Sequence, residues 1–226
     1  MVDEFMNDDD QAKVLKNWWR ENWLWMLAGI ILGLGILFGW QYYQRYTIER
    51  AEAAGSKLNQ FAAALFSDKA KAALLLNELN TKYKSTPYAA QAQLLQAQRA
   101  VETEDLVGAE TALRAAIASS KDEQLVQVAT LRLARVLIEL NKYDEALKLL
   151  DVSKAGAFAA QSHEVRGDAL VAKQDKAAAI TEYQAALTAY EGIEGADTSL
   201  LTLKLADLGG ANPAASSDVV VSTSVK

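Results

Sequence analysis

The side chains that carry most enzyme chemistry are scarce in this sequence. His163 is the single histidine and there is no cysteine. That excludes zinc sites built on several histidines or on thiolates, and with them thiolate nucleophiles and disulfides. His163 stands near the start of a repeat helix, where a ring ordinarily packs, and is expected to be structural. Glu102, Glu104 and Asp105 form an acidic turn, read as a solvated loop rather than a cation site. Arg166-Gly167-Asp168 spells an adhesion tripeptide, but the repeat register below already explains Gly167 as a packing contact. No phosphate-cradling glycine loop occurs outside the apolar segment, and no Ser or Thr stands in a nucleophile setting. The expectation is a non-enzyme with no cofactor.

Function then has to come from surfaces, and composition bounds which ones. The chain has 226 residues, a formal charge of -6 and two prolines, with alanine, leucine, glutamine, glutamate and lysine prominent. Low proline and strong helix formers predict an all-α protein of one or two domains. A mildly acidic balance gives no electrostatic footprint for nucleic acid. The lack of cysteine is compatible with an oxidising compartment.

The stretch WLWMLAGIILGLGILFGW, residues 23–40, has no charge. Eighteen helical residues span roughly 27 Å, close to the hydrocarbon thickness of a bilayer. Trp18, Trp19, Trp23 and Trp25 mark one end, and Trp40, Tyr42, Tyr43 and Tyr46 the other. Aromatic belts at both ends are what the two membrane interfaces select. The segment begins late for a signal peptide, and bulky Phe38, Trp40 and Tyr42 occupy the end where cleavage needs small residues. It reads as a retained membrane anchor in the lipid bilayer.

Orientation is not settled by charge, because Lys13, Lys16 and Arg20 before the span balance Arg45, Arg50 and Lys57 after it. A large C-terminal domain translocates largely regardless of charge, which favours the N-terminus inside and leaves the reverse open. Gly29 and Gly33, and Gly35 and Gly39, form two G-x-x-x-G pairs. Such pairs let a second helix approach closely, although glycine is also common in membrane helices generally. The polar sequence after Tyr46 is expected to continue the helix outward.

Beyond it the sequence repeats. NKYDEALKLL superposes on KQDKAAAITEYQAAL, with Ala146 matching Ala179, and EDLVGAETALRAAI puts Ala109 at the same point. The spacing is near the tetratricopeptide period. Small residues fall where the two helices of a repeat touch: Ala97 with Ala109, Leu113 and Ala116; Ala134 with Ala146 and Leu150; Gly167 with Ala179 and Ala186, where Tyr183 is the large knob. Pro87 falls where a degenerate first repeat ends. Such hairpins stack into an α-solenoid, and Ser199 to Leu208 reads as its capping helix. The expected layout is an N-terminal segment 1–22, a transmembrane helix 23–43, a tetratricopeptide-like domain 44–208 and a disordered tail 209–226. Val219-Val220-Val221 in that tail is apolar enough to add to another protein's sheet edge.

The inner face of a solenoid is its natural binding surface. In the repeat register the first helices present Gln91, Leu94, Gln98 and Val101, then Val128, Leu131, Arg135 and Ile138, then Gln161, Glu164, Asp168 and Val171. This mixture suits extended, partly apolar segments such as an unfolded chain, and lacks the Lys, Asn and Arg set that grips a terminal carboxylate. Packing against neighbouring helices is the competing use of these positions.

Three stretches together, DDDQAKVLKNWWRENW ahead of the Gly-rich span, LRLARVLIELNKYDEALKLLD and EVRGDALVAKQDKAAAITEYQAAL, carry a resemblance. Over residues 5 to 208 the chain resembles the YfgM family, ancillary subunits of the bacterial SecYEG translocon. The resemblance implies a single-pass inner-membrane protein with a cytoplasmic N-terminus and periplasmic repeats. It also implies SecYEG and a membrane-anchored PpiD-like periplasmic chaperone as partners, with unfolded secreted proteins as clients, and no catalytic residues. Asn22-Trp23 and the length of the tail depart from the family pattern. The second reading of the same scaffold is a cell-envelope assembly or signalling adaptor with no role in secretion.

Overall fold

The computed structural model describes residues 8–193 and 195–211, with side chains from residue 12. The expectations for residues 1–7 and for the tail from 212, Val219 to Val221 included, lie outside the described residues. Those described form nine α-helices and no strand: α1 Asp8–Ser67, α2 Lys69–Lys82, α3 Pro87–Glu102, α4 Leu106–Ser119, α5 Glu123–Glu139, α6 Tyr143–Leu149, α7 Ala159–Ala172, α8 Lys176–Tyr190 and α9 Ser199–Asp207. Contacts divide the chain into two units, 1–52 and 53–226, and α1 contributes to both.

In the first unit α1 carries the whole apolar stretch. It contains no proline, and a helix satisfies each backbone group internally, which is what hydrocarbon demands. Its most apolar window is not buried anywhere; Ile31 is 61% and Phe38 66% exposed. A soluble core helix of this composition would bury that surface. The helix is long and apolar enough to cross a membrane.

The second unit is a run of helical hairpins. The end of α1 packs on α2 through Ala54, Phe61 and Ala64 against Ala72, Leu75 and Leu79, the degenerate first repeat. Pro87 then opens α3 at its first turn, where a missing N–H costs nothing. Pairs α3–α4, α5–α6 and α7–α8 follow. Every small residue assigned to a helix contact is buried: Ala97, Ala109, Ala116, Ala134, Ala146, Ala179 and Ala186 are at most 2% exposed. Helix α6 is short, and two 3-10 turns at Val152–Lys154 and Gly156–Phe158 complete the way to α7.

The three hairpins share one turn. Glu104, Asn141 and Gln174 have φ of 59°, 60° and 65°. In each, the next residue donates back five positions, Asp105 to Ala100, Lys142 to Leu137 and Asp175 to Leu170, at 2.8, 2.8 and 2.9 Å. The left-handed residue donates back three, Glu104 to Val101, Asn141 to Ile138 and Gln174 to Val171. This is a Schellman closure, normally built on glycine because a Cβ is strained there. Gln174→Gly and Glu104→Gly are therefore expected to stabilise the domain by about 0.5–1 kcal/mol each. Asn141→Gly should gain less, since asparagine tolerates this region. Urea midpoints of the three variants check both the sign and the order.

After the turn, Asp105 and Asp175 cap α4 and α8, accepting from Gly108 N at 2.9 Å and Ala178 N at 3.1 Å. The middle repeat has Lys142 instead, and its Nζ reaches Glu110 Oε2 on α4 at 2.8 Å. Glu110 also accepts from Arg114 Nη2 at 2.9 Å. A cap has been exchanged for a tie between repeats. The Lys142 ammonium, helped by Arg114, holds the Glu110 carboxyl below its usual value of 4.5. Because folding lowers this pKa, the tie adds stability above that value and loses it as pH falls through the lowered one. Lys142 and Arg114 are 46% and 43% exposed, so solvent screens the tie to about 0.5–1 kcal/mol. Glu110→Gln should remove that increment at pH 7, and the difference from the parent should shrink steadily as pH is taken down from 4.5, read from urea midpoints along a descending pH series.

Candidate binding groove

Helix α4 packs against both α3 and α5, while α3 and α5 have no comparable packing with each other. The gap is a hollow of about 570 Å³, within the usual range for ligand sites. Its floor is Leu94, Ala97 and Val101 from α3, Leu106 and Leu113 from α4, and Val136 from α5. Its rim is Gln98, Glu102, Arg132, Arg135 and Glu139. Glu102 is already engaged, accepting from Gln98 Nε2 at 3.2 Å and Arg99 Nη1 at 3.3 Å. Arg132 and Arg135 make no hydrogen bond or ion pair among the described residues. An apolar floor with a few charged groups above it can hold side chains of an extended segment. No group of three metal-ligating side chains occurs among the described residues.

A second hollow, about 580 Å³, lies between the end of α1, α2 and α3. Both of its carboxylates are spent on the backbone: Asp68 caps α2 through Lys71 N at 3.0 Å, and Asp105 caps α4. Arg99 lies 4.9 Å from the centroid of the Phe66 ring there. The first hollow, with its unengaged arginines, is the better candidate.

Of the positions assigned to the groove, Leu94, Gln98, Val101 and Arg135 meet in it. Gln91 and Val128 are half-buried beyond it. Leu131 is corrected: it is 6% exposed and belongs to the core, and Ile138 packs on that core. The inner face of α5 is Arg132, Arg135, Val136 and Glu139, shifted by one residue from the apolar reading at two positions. Burial claims the leucine, whereas an arginine can lay its stem on apolar surface and keep its charge in water.

The α7 positions have another use. Glu164 Oε1 and Asp168 Oδ1 accept from Lys204 Nζ of α9 at 2.9 and 2.8 Å. Asp168 Oδ1 also accepts from Tyr183 Oη at 2.7 Å. Burial alone would lower the Lys204 pKa, but the hydrogen bonds to Asp168 and Glu164 outweigh it and raise it. Burial, with Asp168, also raises the Tyr183 phenol. These carboxylates fasten the capping helix. Gln161 is half-buried with its Oε1 unpartnered, and Val171 is exposed.

The adhesion-like tripeptide is likewise consumed internally. Arg166 donates to Glu182 Oε1 at 2.8 Å and to the carbonyls of Leu147 and Leu150 at 3.2 Å, a cation at the end of α6 where the dipole favours it. Gly167 is buried against Tyr183. His163 Nδ1 lies 2.7 Å from Glu182 Oε2, a side-chain pairing between α7 and α8. In the membrane helix, a Cβ at Gly29, Gly33, Gly35 or Gly39 would meet nothing within 4 Å beyond its chain neighbours and the adjoining helix backbone.

The family model for the Tetratricopeptide repeat-like domain matches residues 16–210. The chain is 34% identical to the ancillary SecYEG translocon subunit of Escherichia coli (strain K12), over 80% of this chain and 87% of that protein. It is 32% identical to the protein of the same name from Haemophilus influenzae, over 80% and 89%. With that from Aggregatibacter actinomycetemcomitans the identity is 31% over 90% and 98%. These relatives are named as subunits, not as enzymes. With its tetratricopeptide repeat-like domain and N-terminal membrane-type helix, the chain belongs to the YfgM family of ancillary SecYEG translocon subunits.

Proposed function

We propose that this chain is a scaffold tethered to the bacterial inner membrane beside the SecYEG translocon. In this reading the N-terminus is cytoplasmic and the repeats are periplasmic. There they work with a membrane-anchored PpiD-like chaperone on secreted proteins as these emerge. The observation that carries the proposal is the reach of the family match, residues 16–210, through anchor and repeats alike. A tether holds a weak binding surface at high local concentration near its partner, and the hollow between α3 and α5 is such a surface. The glycines at 29, 33, 35 and 39 support a helix contact, since packing within the chain does not require them.

Two measurements test it together. Protease should digest the repeats in spheroplasts and spare them in inverted inner-membrane vesicles. A photoreactive side chain at Gly33 should crosslink to translocon helices. Digestion only in inverted vesicles would place the repeats in the cytoplasm and overturn the proposal, and crosslinks only to a second copy would remove the translocon from it.

A further inference from the structure

The hollow between α3 and α5 combines an apolar floor with a rim on which Arg132 and Arg135 face one unpaired carboxylate, Glu139, the other, Glu102, being held by Arg99. Carboxylates outnumber cations in this chain, which carries a charge of -6, and its other arginines in the repeats are engaged. Arg99 pairs with Glu102, Arg114 with Glu110 and Glu145, and Arg166 with Glu182. Arg132 and Arg135 are exposed on one face of α5 and have no acidic partner among the described residues. Glu139, one turn beyond Arg135, makes no ion pair with it, and Glu102 is already held. A guanidinium stays charged at any physiological pH and matches a carboxylate with two parallel hydrogen bonds. Apolar surface beside it strengthens such a pair by lowering the local dielectric. Gln98 donates to Glu102 and keeps its carbonyl oxygen for a backbone N–H, which suits a peptide.

We infer that this hollow takes a peptide segment of another protein in which a medium-sized apolar side chain lies next to an acidic one. The apolar side chain enters between Leu94, Val101 and Val136, and the carboxylate meets Arg132 and Arg135. The inference rests on the groove of the proposed function and adds the charge of what fills it.

The test uses the full chain in phosphatidylcholine nanodiscs and three fluorescein-labelled nonapeptides. One alternates leucine with aspartate in a serine-glycine frame; the others carry asparagine or lysine for aspartate. Fluorescence anisotropy should show the aspartate peptide binding at least tenfold tighter than either control. Arg132→Gln with Arg135→Gln should erase the preference, and Arg132→Glu with Arg135→Glu should reverse it towards lysine. Unchanged thermal unfolding shows that the fold survives both. Equal affinities for the three peptides, or a preference that outlasts the double charge reversal, would overturn the inference. Truncation after Ala211 is expected to leave affinity unchanged. A tenfold gain would identify the chain's own tail as the occupant and overturn the assignment to another protein. Crosslinking to the translocon without a charge preference removes this inference alone, whereas a charge preference without such crosslinks removes the functional reading and keeps the groove.

Discussion

Gly167→Ala is expected to destabilise the third repeat by about 1–2 kcal/mol, although alanine is the better helix former. On propensity alone the change would gain about 1 kcal/mol in mid-helix. The local packing decides otherwise. A Cβ built at Gly167 would overlap Cδ1 and Cε1 of the Tyr183 ring. That ring cannot swing aside, because it is 2% exposed and its hydroxyl is held by Asp168. Overpacking of this kind costs about 1–3 kcal/mol and occasionally more, and it must first cancel the propensity gain. Since 1 kcal/mol moves the midpoint of a domain this size by roughly 2–4 °C, the fall should be about 2–8 °C. Hydrogen exchange should accelerate in α7, α8 and α9 more than in α3 and α4, because stacked repeats respond locally. The decisive control is the Tyr183→Leu background, itself destabilised by its cavity. There the added methyl fills space and recovers propensity, so Gly167→Ala should turn neutral or stabilising. If the sign did not change, ring contact would not be what excludes a side chain at 167.

The contact behind that prediction was legible from residue types alone, because a large ring opposite a glycine at repeat spacing has one economical arrangement. The same holds for the alanines at the other helix contacts and for the membrane helix, whose composition has no soluble use. Other features left no such mark. The turns at 104, 141 and 174 are left-handed yet carry Glu, Asn and Gln, so a search keyed to glycine passes over them. Their hydrogen bonds show only in three dimensions. On α5 the sequence identified apolar residues but not their destination. Leu131 and Ile138 answer equally to a groove and to a core, and the choice depends on how α4 leans on α5. Lys204 lies 36 residues from Asp168, a distance over which no periodicity operates, so its bond to the inner face of α7 had no local signature. Nor did sequence mark Arg132 and Arg135 as unusual, because whether a surface arginine has a partner depends on every helix around it.

Ile31→Arg is expected to release the protein from the membrane while leaving the repeats folded. Nine leucine, isoleucine and phenylalanine side chains in the stretch 23–40 contribute roughly 3–5 kcal/mol towards insertion, at about 0.3–0.6 each. Position 31 is near the middle of the stretch. Arginine there adds about 2.5–3.5 kcal/mol and removes the isoleucine term, a swing of roughly 3–4 kcal/mol that matches the whole driving force. Alkaline carbonate extraction should leave nearly all of the parent protein in the pellet and less than about half of the variant. Ile31→Arg combined with Leu34→Arg should leave almost none. Gln41→Arg should have little effect, because a long cationic side chain at the interface reaches water. If α1 were instead a helix covered by protein surface, the outcome would follow its partner's packing and not the depth of the substitution. Within the proposed function the released variant has a further consequence. Its hollow should bind the aspartate peptide in solution as before, yet crosslinking to the translocon should disappear, because the contact depends on concentration at the membrane. Retained crosslinking by a fully extracted protein would mean that the repeats, rather than the anchor, hold the complex together.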